Sequence, residues 1–195
     1  MDIIRFIISY FASKKLTLLT VFLCWKPESV NKLAQLGQQA GLRLRMHHDF
    51  QRLPALPPYR TFREGMLLDT RCDNASLVLE KASENRAFNL RHSWLLIDEA
   101  PLNISNLELV LSDIAILPDA DVIWVSTDAM VDVYRVKIGE PLVVADLGPR
   151  KSQRELEQQW LTLPTAVTRR KDLKNVYLNS ATIVNICIMN YKYIK

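Results

Sequence analysis

HSWLLIDEAPLNISNLELVLSDIAILPDADVIWVSTDAMVDVYRVKIGEPLVVADLG, residues 92–148, is the stretch whose reading decides the fold. A buried apolar run, Ser93–Ile97, leads through a short loop into a helix opening at Ser105. Ser105 and Glu108 match an S-x-x-E capping box, and Leu107, Val110, Leu111 and Ile114 follow at helical spacing. A second apolar run, Val122–Val125, comes next, then Val131–Ile138 and Leu142–Ala145, joined by Gly139-Glu140-Pro141. The order is strand, helix, strand, hairpin. A crossover helix between two wholly apolar strands predicts a parallel sheet covered on both faces. The expected fold is therefore a three-layer α/β domain with a mainly parallel sheet and a C-terminal β-hairpin.

Upstream the same unit repeats. Ile3–Phe11 and Leu16–Trp25 are apolar runs split by Ser13-Lys14-Lys15, each short of the ~20 residues a membrane helix needs. Ile3, Phe6, Ile7, Tyr10 and Phe11 lie at helical spacing, which favours an amphipathic helix followed by a strand over the h-region of a signal peptide. Pro27 suits a first helical position, with Val30, Leu33, Ala34 and Gly37 as the apolar face and Gly41 as the stop. Leu42, Leu44 and Met46 alternate with Arg43, Arg45 and His47, the period of a half-exposed strand. A loop over Asp49–Gly65 carries Pro54, Pro57 and Pro58 and is longer than most connections. Met66–Asp69 reads as a short strand, and Asp73 as the N-cap of a helix with the stripe Ala75, Val78, Leu79, Ala82.

After Gly148 the texture changes. Residues 1–149 carry 16 basic and 18 acidic side chains, net −2, whereas 150–195 carry 9 and 3, net +6. The body is mildly acidic and gives no support for a nucleic-acid surface. Seven Lys/Arg fall between Arg150 and Lys174 with Trp160 the single aromatic among them, which suits a solvated linker better than a phosphate-binding arm. Ser152 and Glu155 cap a short polar helix, and Val176–Met189 looks like a new strand with nothing after it to pair with. The reading divides the chain into an α/β domain over 1–148, a basic linker over 149–175 and the start of a truncated further domain over 176–195. Proteases are expected to cut between Arg150 and Lys174 before they cut the body.

No catalytic constellation stands out. Trp94–Ile97 followed by Asp98-Glu99 resembles the strand that holds magnesium in ATPases, but that chemistry needs a phosphate cradle, G-x-x-x-x-G-K-[ST]. The five glycines, at 37, 41, 65, 139 and 148, offer none. His47 and His48 are adjacent and would point to opposite faces of a strand, and His92 is the only other histidine. No G-x-S-x-G occurs, and Cys24, Cys72 and Cys187 lack metal-ligand spacing. We expect no enzyme activity, no cofactor and no metal. Two sequons, Asn74-Ala75-Ser76 and Asn103-Ile104-Ser105, fall at helix starts and make Asn74 and Asn103 candidate glycosylation sites. Cys24 and Cys72 each follow a strand, and the carboxyl ends of parallel strands share one edge of the sheet. A Cys24–Cys72 bridge with Cys187 free is one reading, and ordinary buried thiols of a cytosolic protein is the other.

The strings F-L-C24-W25, D69-T-R-C72-D73-N, H92-S-W94-L-L-I, D119-A-D121-V-I-W-V and above all V131-D-V-Y134-R-V-K-I-G139-E-P-L-V-V-A-D-L-G148 resemble the amino-terminal ectodomain of insect ionotropic receptors. These are chemosensory relatives of ionotropic glutamate receptors, and the likeness is nearest their acid-sensing branch. It runs over roughly residues 3–185, with R169-R-K-D-L-K-N-V-Y-L-N-S-A-T-I-V184 resembling the entry to the ligand-binding domain. After Val184 the tail NICIMNYKYIK departs from the pattern, as in a truncated chain. The resemblance implies a fold like one lobe of a periplasmic-binding-type protein and an extracellular place in a chemosensory ligand-gated cation channel. It implies other ionotropic receptor subunits, including a co-receptor, as partners, and a small organic ligand bound beyond this segment. The alternative is a soluble α/β domain that binds a small ligand or nucleotide at the carboxyl ends of its strands.

Overall fold

The computed structural model describes residues 2–47, 63–149, 165–170, 180–184 and 187–191. Helix α1 (Ile3–Ser13) opens on Asp2, whose carboxylate accepts from the Ile4 amide at 3.1 Å and pairs with Lys32 at 2.7 Å. Strand β1 (Leu18–Phe22) leads to α2 (Pro27–Gln39), with Pro27 in its first turn, and Gly41 at φ +80° ends it in the left-handed region that a glycine adopts without strain. Strand β2 (Arg43–Met46) and β3 (Glu64–Asp69) follow, the latter starting two residues before the expected Met66. The greater part of the proline-bearing loop and the helix read after Ser152 lie outside the described residues.

Helix α3 (Ala75–Glu84), β4 (His92–Ile97), α4 (Ile104–Val110), β5 (Asp121–Val125) and the hairpin β6 (Met130–Tyr134) with β7 (Val143–Asp146) complete the body. Both caps are displaced from the sequence reading. Asn74, not Asp73, stands at the start of α3 and makes no side-chain capping bond. Asn103 caps α4, its side chain accepting from the Asn106 amide at 3.1 Å, so Ser105 lies inside the first turn instead of before it. Asn and Ser cap about equally well, and the helix takes the earlier of the two. Arg135 closes the other end, donating to the carbonyls of Leu111 (2.7 Å), Ser112 (2.8 Å), Ile114 (3.3 Å) and Glu140 (2.6 Å). It thereby ties the hairpin to the end of α4.

The sheet has seven strands in the order β2-β1-β3-β4-β5-β6-β7. The first five are parallel, β6 runs antiparallel to β5, and β7 runs antiparallel to β6, with Ile123 opposite Asp132 and Val133 opposite Val144. Every residue of β3, β4, β5 and β6 is buried, the mark of strands covered on both faces. Period two sorts their side chains. Trp94, Leu96, Val122 and Trp124 pack with α3 and α4, whereas Leu95, Ile97, Ile123 and Val125 pack with α1 and Leu33 of α2. This is the expected mostly parallel α/β layering, consistent with one lobe of a periplasmic-binding-type protein. No described helix is long and apolar enough to cross a membrane.

At Gly65 the helix α1 packs tightly on the sheet. A methyl group there would stand 2.7 Å from the Phe11 ring and 3.0 Å from Leu19 Cδ1. Gly65→Val should therefore cost about 1–3 kcal/mol by overpacking, read as a lower urea midpoint at unchanged slope. A midpoint equal to wild type would show that α1 does not press on β3.

Two features of the last segment add to the sequence reading. Helix α5 (Ala166–Arg169) falls within the stretch read as a basic linker, and Ala166 and Arg170 are both 4% exposed. The apparently unpaired last strand is a two-stranded antiparallel ladder, β8 (Ser180–Val184) with β9 (Cys187–Tyr191).

Candidate functional site

In an open α/β sheet, ligands bind where the strand order reverses, outside the carboxyl ends of the strands. Here β1 is followed by β2 on one side and β3 on the other, so the switch lies between β1 and β3. The residues leaving those two strands fill it. Cys24, just past β1, is bonded to Cys72, just past β3, with the Cα atoms 5.6 Å apart, inside the ~7 Å limit for a bridge. Asp69 at the end of β3 is fully buried. It accepts from the Trp25 indole at 2.7 Å, from the Arg71 amide at 3.1 Å and from the Arg71 guanidinium at 3.2 and 3.1 Å. Arg71 also reaches Glu99 at 3.1 Å, and the Thr70 hydroxyl donates to the Ile97 carbonyl at 2.9 Å. The crevice is thus laced shut by one covalent and several charge-assisted links.

Cys24, Asp69 and Cys72 bring ligand-type atoms within 4.8 Å of one another. Joined as a disulfide, the two sulfurs offer no thiolate, and zinc sites take cysteine in that form. Asp98, in the ATPase-like string, accepts from the Ala100 amide at 3.1 Å, turning the loop after β4. His47 stacks on Phe22 at 5.4 Å, and His48 lies outside the described residues. His92 is buried beside Asn89, 3.1 Å from its side-chain oxygen, and burial pushes its imidazole below the ordinary value. His47 and His92 stand at opposite edges of the sheet and do not converge. An open cleft of about 350 Å³ lies between α3 and α4 and adjoins the residues leaving β3, with Thr70, Cys72, Ser76, Glu80, Leu109 and Asp113 in its lining.

Asn74 and Asn103 are both exposed, as are Ser76 and Ser105 of their sequons. Both follow carboxyl ends of strands, on the same edge as the disulfide. A glycan at Asn103 would be attached through the side-chain nitrogen, which leaves its oxygen free to cap α4. Insect-cell secretion should yield two glycans, seen as a two-step mass loss on glycosidase digestion. Secreted material with no mass shift would remove both sites.

The opposite edge holds a charge network that the sequence reading missed. Asp121 accepts from Lys14 at 2.9 Å and from the Ser93 hydroxyl at 2.9 Å, and lies 3.3 Å from Arg169 and 3.7 Å from Arg63. Asp132 faces Arg169 at 3.0 Å and Arg170 at 2.5 Å. The only hints were an aspartate inside an apolar strand, Val131-Asp132-Val133, and a basic doublet far downstream.

Burial pushes the Asp121 carboxyl up, but the charges of Lys14 and Arg169 and the hydrogen bonds from Lys14 and Ser93 outweigh it and hold it below the ordinary value. A depressed carboxylate stabilises the fold above its unfolded pKa of about 3.9, and that stability is lost as pH falls through the lower folded value. Melting temperature should accordingly fall as pH drops below about 5, and Asp121→Asn should be less stable at neutral pH with a shallower acid slope. An unchanged acid slope in Asp121→Asn would assign the acid loss to other groups.

No curated protein and no solved structure matches the chain. The family model described as ionotropic receptor 75a N-terminal matches residues 2–183, all but the ends of the chain. The fold and the sealed crevice described above therefore belong to a member of the ionotropic receptor 75a N-terminal family.

Proposed function

We propose that this chain serves as the extracellular amino-terminal module of a chemosensory ligand-gated cation channel, acting in folding and subunit assembly. The observation that carries this reading is the sealed switch point. Where a ligand-binding α/β domain keeps an open crevice, Cys24–Cys72 and the Asp69–Trp25–Arg71 contacts close it. The alternative of a small-ligand or nucleotide domain loses its usual site. Two exposed sequons and a disulfide suit the oxidising, glycosylating route to the cell surface. On this reading the small organic ligand binds beyond the segment, the module performs no catalysis, and its partners are other ionotropic receptor subunits, including a co-receptor.

Co-expression of the chain, behind a secretion leader, with a tagged ionotropic co-receptor subunit in insect cells tests this. Co-purification of a glycosylated, disulfide-bonded chain is expected. Glycosylated and bridged material that never co-purifies would overturn the assembly role, and a chain retained with free thiols would overturn the extracellular placement.

A further inference from the structure

The chain leaves the seven-stranded sheet at its carboxyl edge. Leu147 donates to the Met130 carbonyl at 2.9 Å, and Met130, which donates to Gly148 at 3.1 Å, sits opposite Val125 at the carboxyl end of β5. Both sequons and the disulfide lie on this same edge. Yet the segment that follows is anchored at the other end of β5. Arg170 donates to the carbonyls of Pro118 at 2.9 Å and Ala120 at 2.6 Å, just before β5 begins. It also grips Asp132 at 3.0 and 2.5 Å and lies over the Tyr134 ring at 4.2 Å. Arg169 adds bonds to Asp132 at 3.2 and 3.0 Å and to Asp121 at 3.3 Å. The 15 residues from 150 to 164 are ample to pass from one edge to the other, at up to ~3.3 Å each.

The two aspartates are not equivalent. Asp121 has Lys14 and Arg63 from the body as well as Arg169. Asp132, with its side chain 1% exposed, has Arg169 and Arg170 as its cations among the described residues. Both arginines come from outside the sheet domain. A buried carboxylate without a cation is strongly unfavourable, so the body is electrostatically complete only with the downstream segment in place.

We infer that residues 165–170 are an ionic strap that completes the domain's charge pairing and moves the chain's exit from the carboxyl edge to the amino edge of the sheet. Arg170, the last described residue of this segment, then stands at the edge opposite the sequons and the disulfide. The module acquires a polarity: one edge presents the attachment points for glycans, the other carries the connection.

Two measurements on the full chain test the strap, with Ala166→Glu as the releasing variant. Ala166 is buried and close in sequence to the two anchoring arginines, and a glutamate there disfavours docking without altering any sheet residue. Trypsin should cut after Arg169 and Arg170 at least about tenfold more slowly in wild type than in Ala166→Glu, as a docked backbone must open before cleavage. A short amine cross-linker should join Lys174 to Lys14 or Lys15, at the amino edge, in wild type, and those links should fade in the variant. Should Ala166→Glu fail to fold, the wild-type rate against a peptide of residues 161–175 gives the same comparison. Asp132→Asn then serves as a second release, neutralising the carboxylate while keeping its size. Cleavage of wild type at the peptide's rate, or cross-links chiefly to Lys26 at the carboxyl edge, would overturn the strap.

Discussion

Replacing Cys24 and Cys72 together by serine is expected to lower the stability of the secreted chain by roughly 4 kcal/mol. The bridge closes a loop of sequence separation 48, which encloses α2, β2 and β3. In the chain-entropy model a cross-link of that length removes a large part of the freedom of the unfolded chain, and the penalty grows only with the logarithm of loop length. The native state should change little, because Trp25 and Arg71 still hold Asp69 from both sides of the crevice. Against a typical domain stability of about 5–15 kcal/mol the loss is large enough to reduce secretion. Urea unfolding of the double variant, made in a Cys187→Ser background to prevent thiol exchange, measures it. A lower midpoint with a steeper slope is expected, since an uncross-linked chain exposes more surface on unfolding. Free thiols at both positions in secreted wild type, or a loss under about 1 kcal/mol, would remove the bridge as a stabilising element.

Trp94→Ala should cost at least as much. Trp94 is fully buried in the central strand β4, with its ring centroid 4.8 Å from that of Phe88. Truncation to alanine in such a place costs about 3–5 kcal/mol through lost burial and the cavity left behind. Its indole also donates to the Ala87 carbonyl at 3.0 Å, and losing that hydrogen bond adds about 0.5–1.5 kcal/mol. Trp94→Phe separates the two effects, since it keeps most of the apolar volume and loses the donor. We expect a midpoint between wild type and alanine for phenylalanine. If alanine is tolerated at under about 1 kcal/mol, β4 is not the centre of the core.

The order of strands and helices was legible because the signals are local. Trp94–Ile97 and Val122–Val125 are apolar on both faces, and the spacing of Phe6, Ile7, Tyr10 and Phe11 marks a helix face without reference to any distant residue. Pro27 and Gly41 bracket α2 through their own backbone preferences. Cap positions were less secure. Ser105 and Asn103 compete for the same role within two residues, and the choice depends on where the preceding chain leaves β4. Strand order could not be read at all, because parallel neighbours are chosen by packing of whole units and leave no mark in any one of them. The family's own strings, such as the one ending at Gly148, carried the receptor assignment, yet said nothing of the shut crevice between β1 and β3. Least legible was the ionic edge. Arg170 reads as one more charge in a basic run, and Asp132 as a lone polar residue in a strand, 38 positions away. A charge in sequence is ordinarily a solvated charge, and only the folded chain removes water from both and makes each the other's necessary partner.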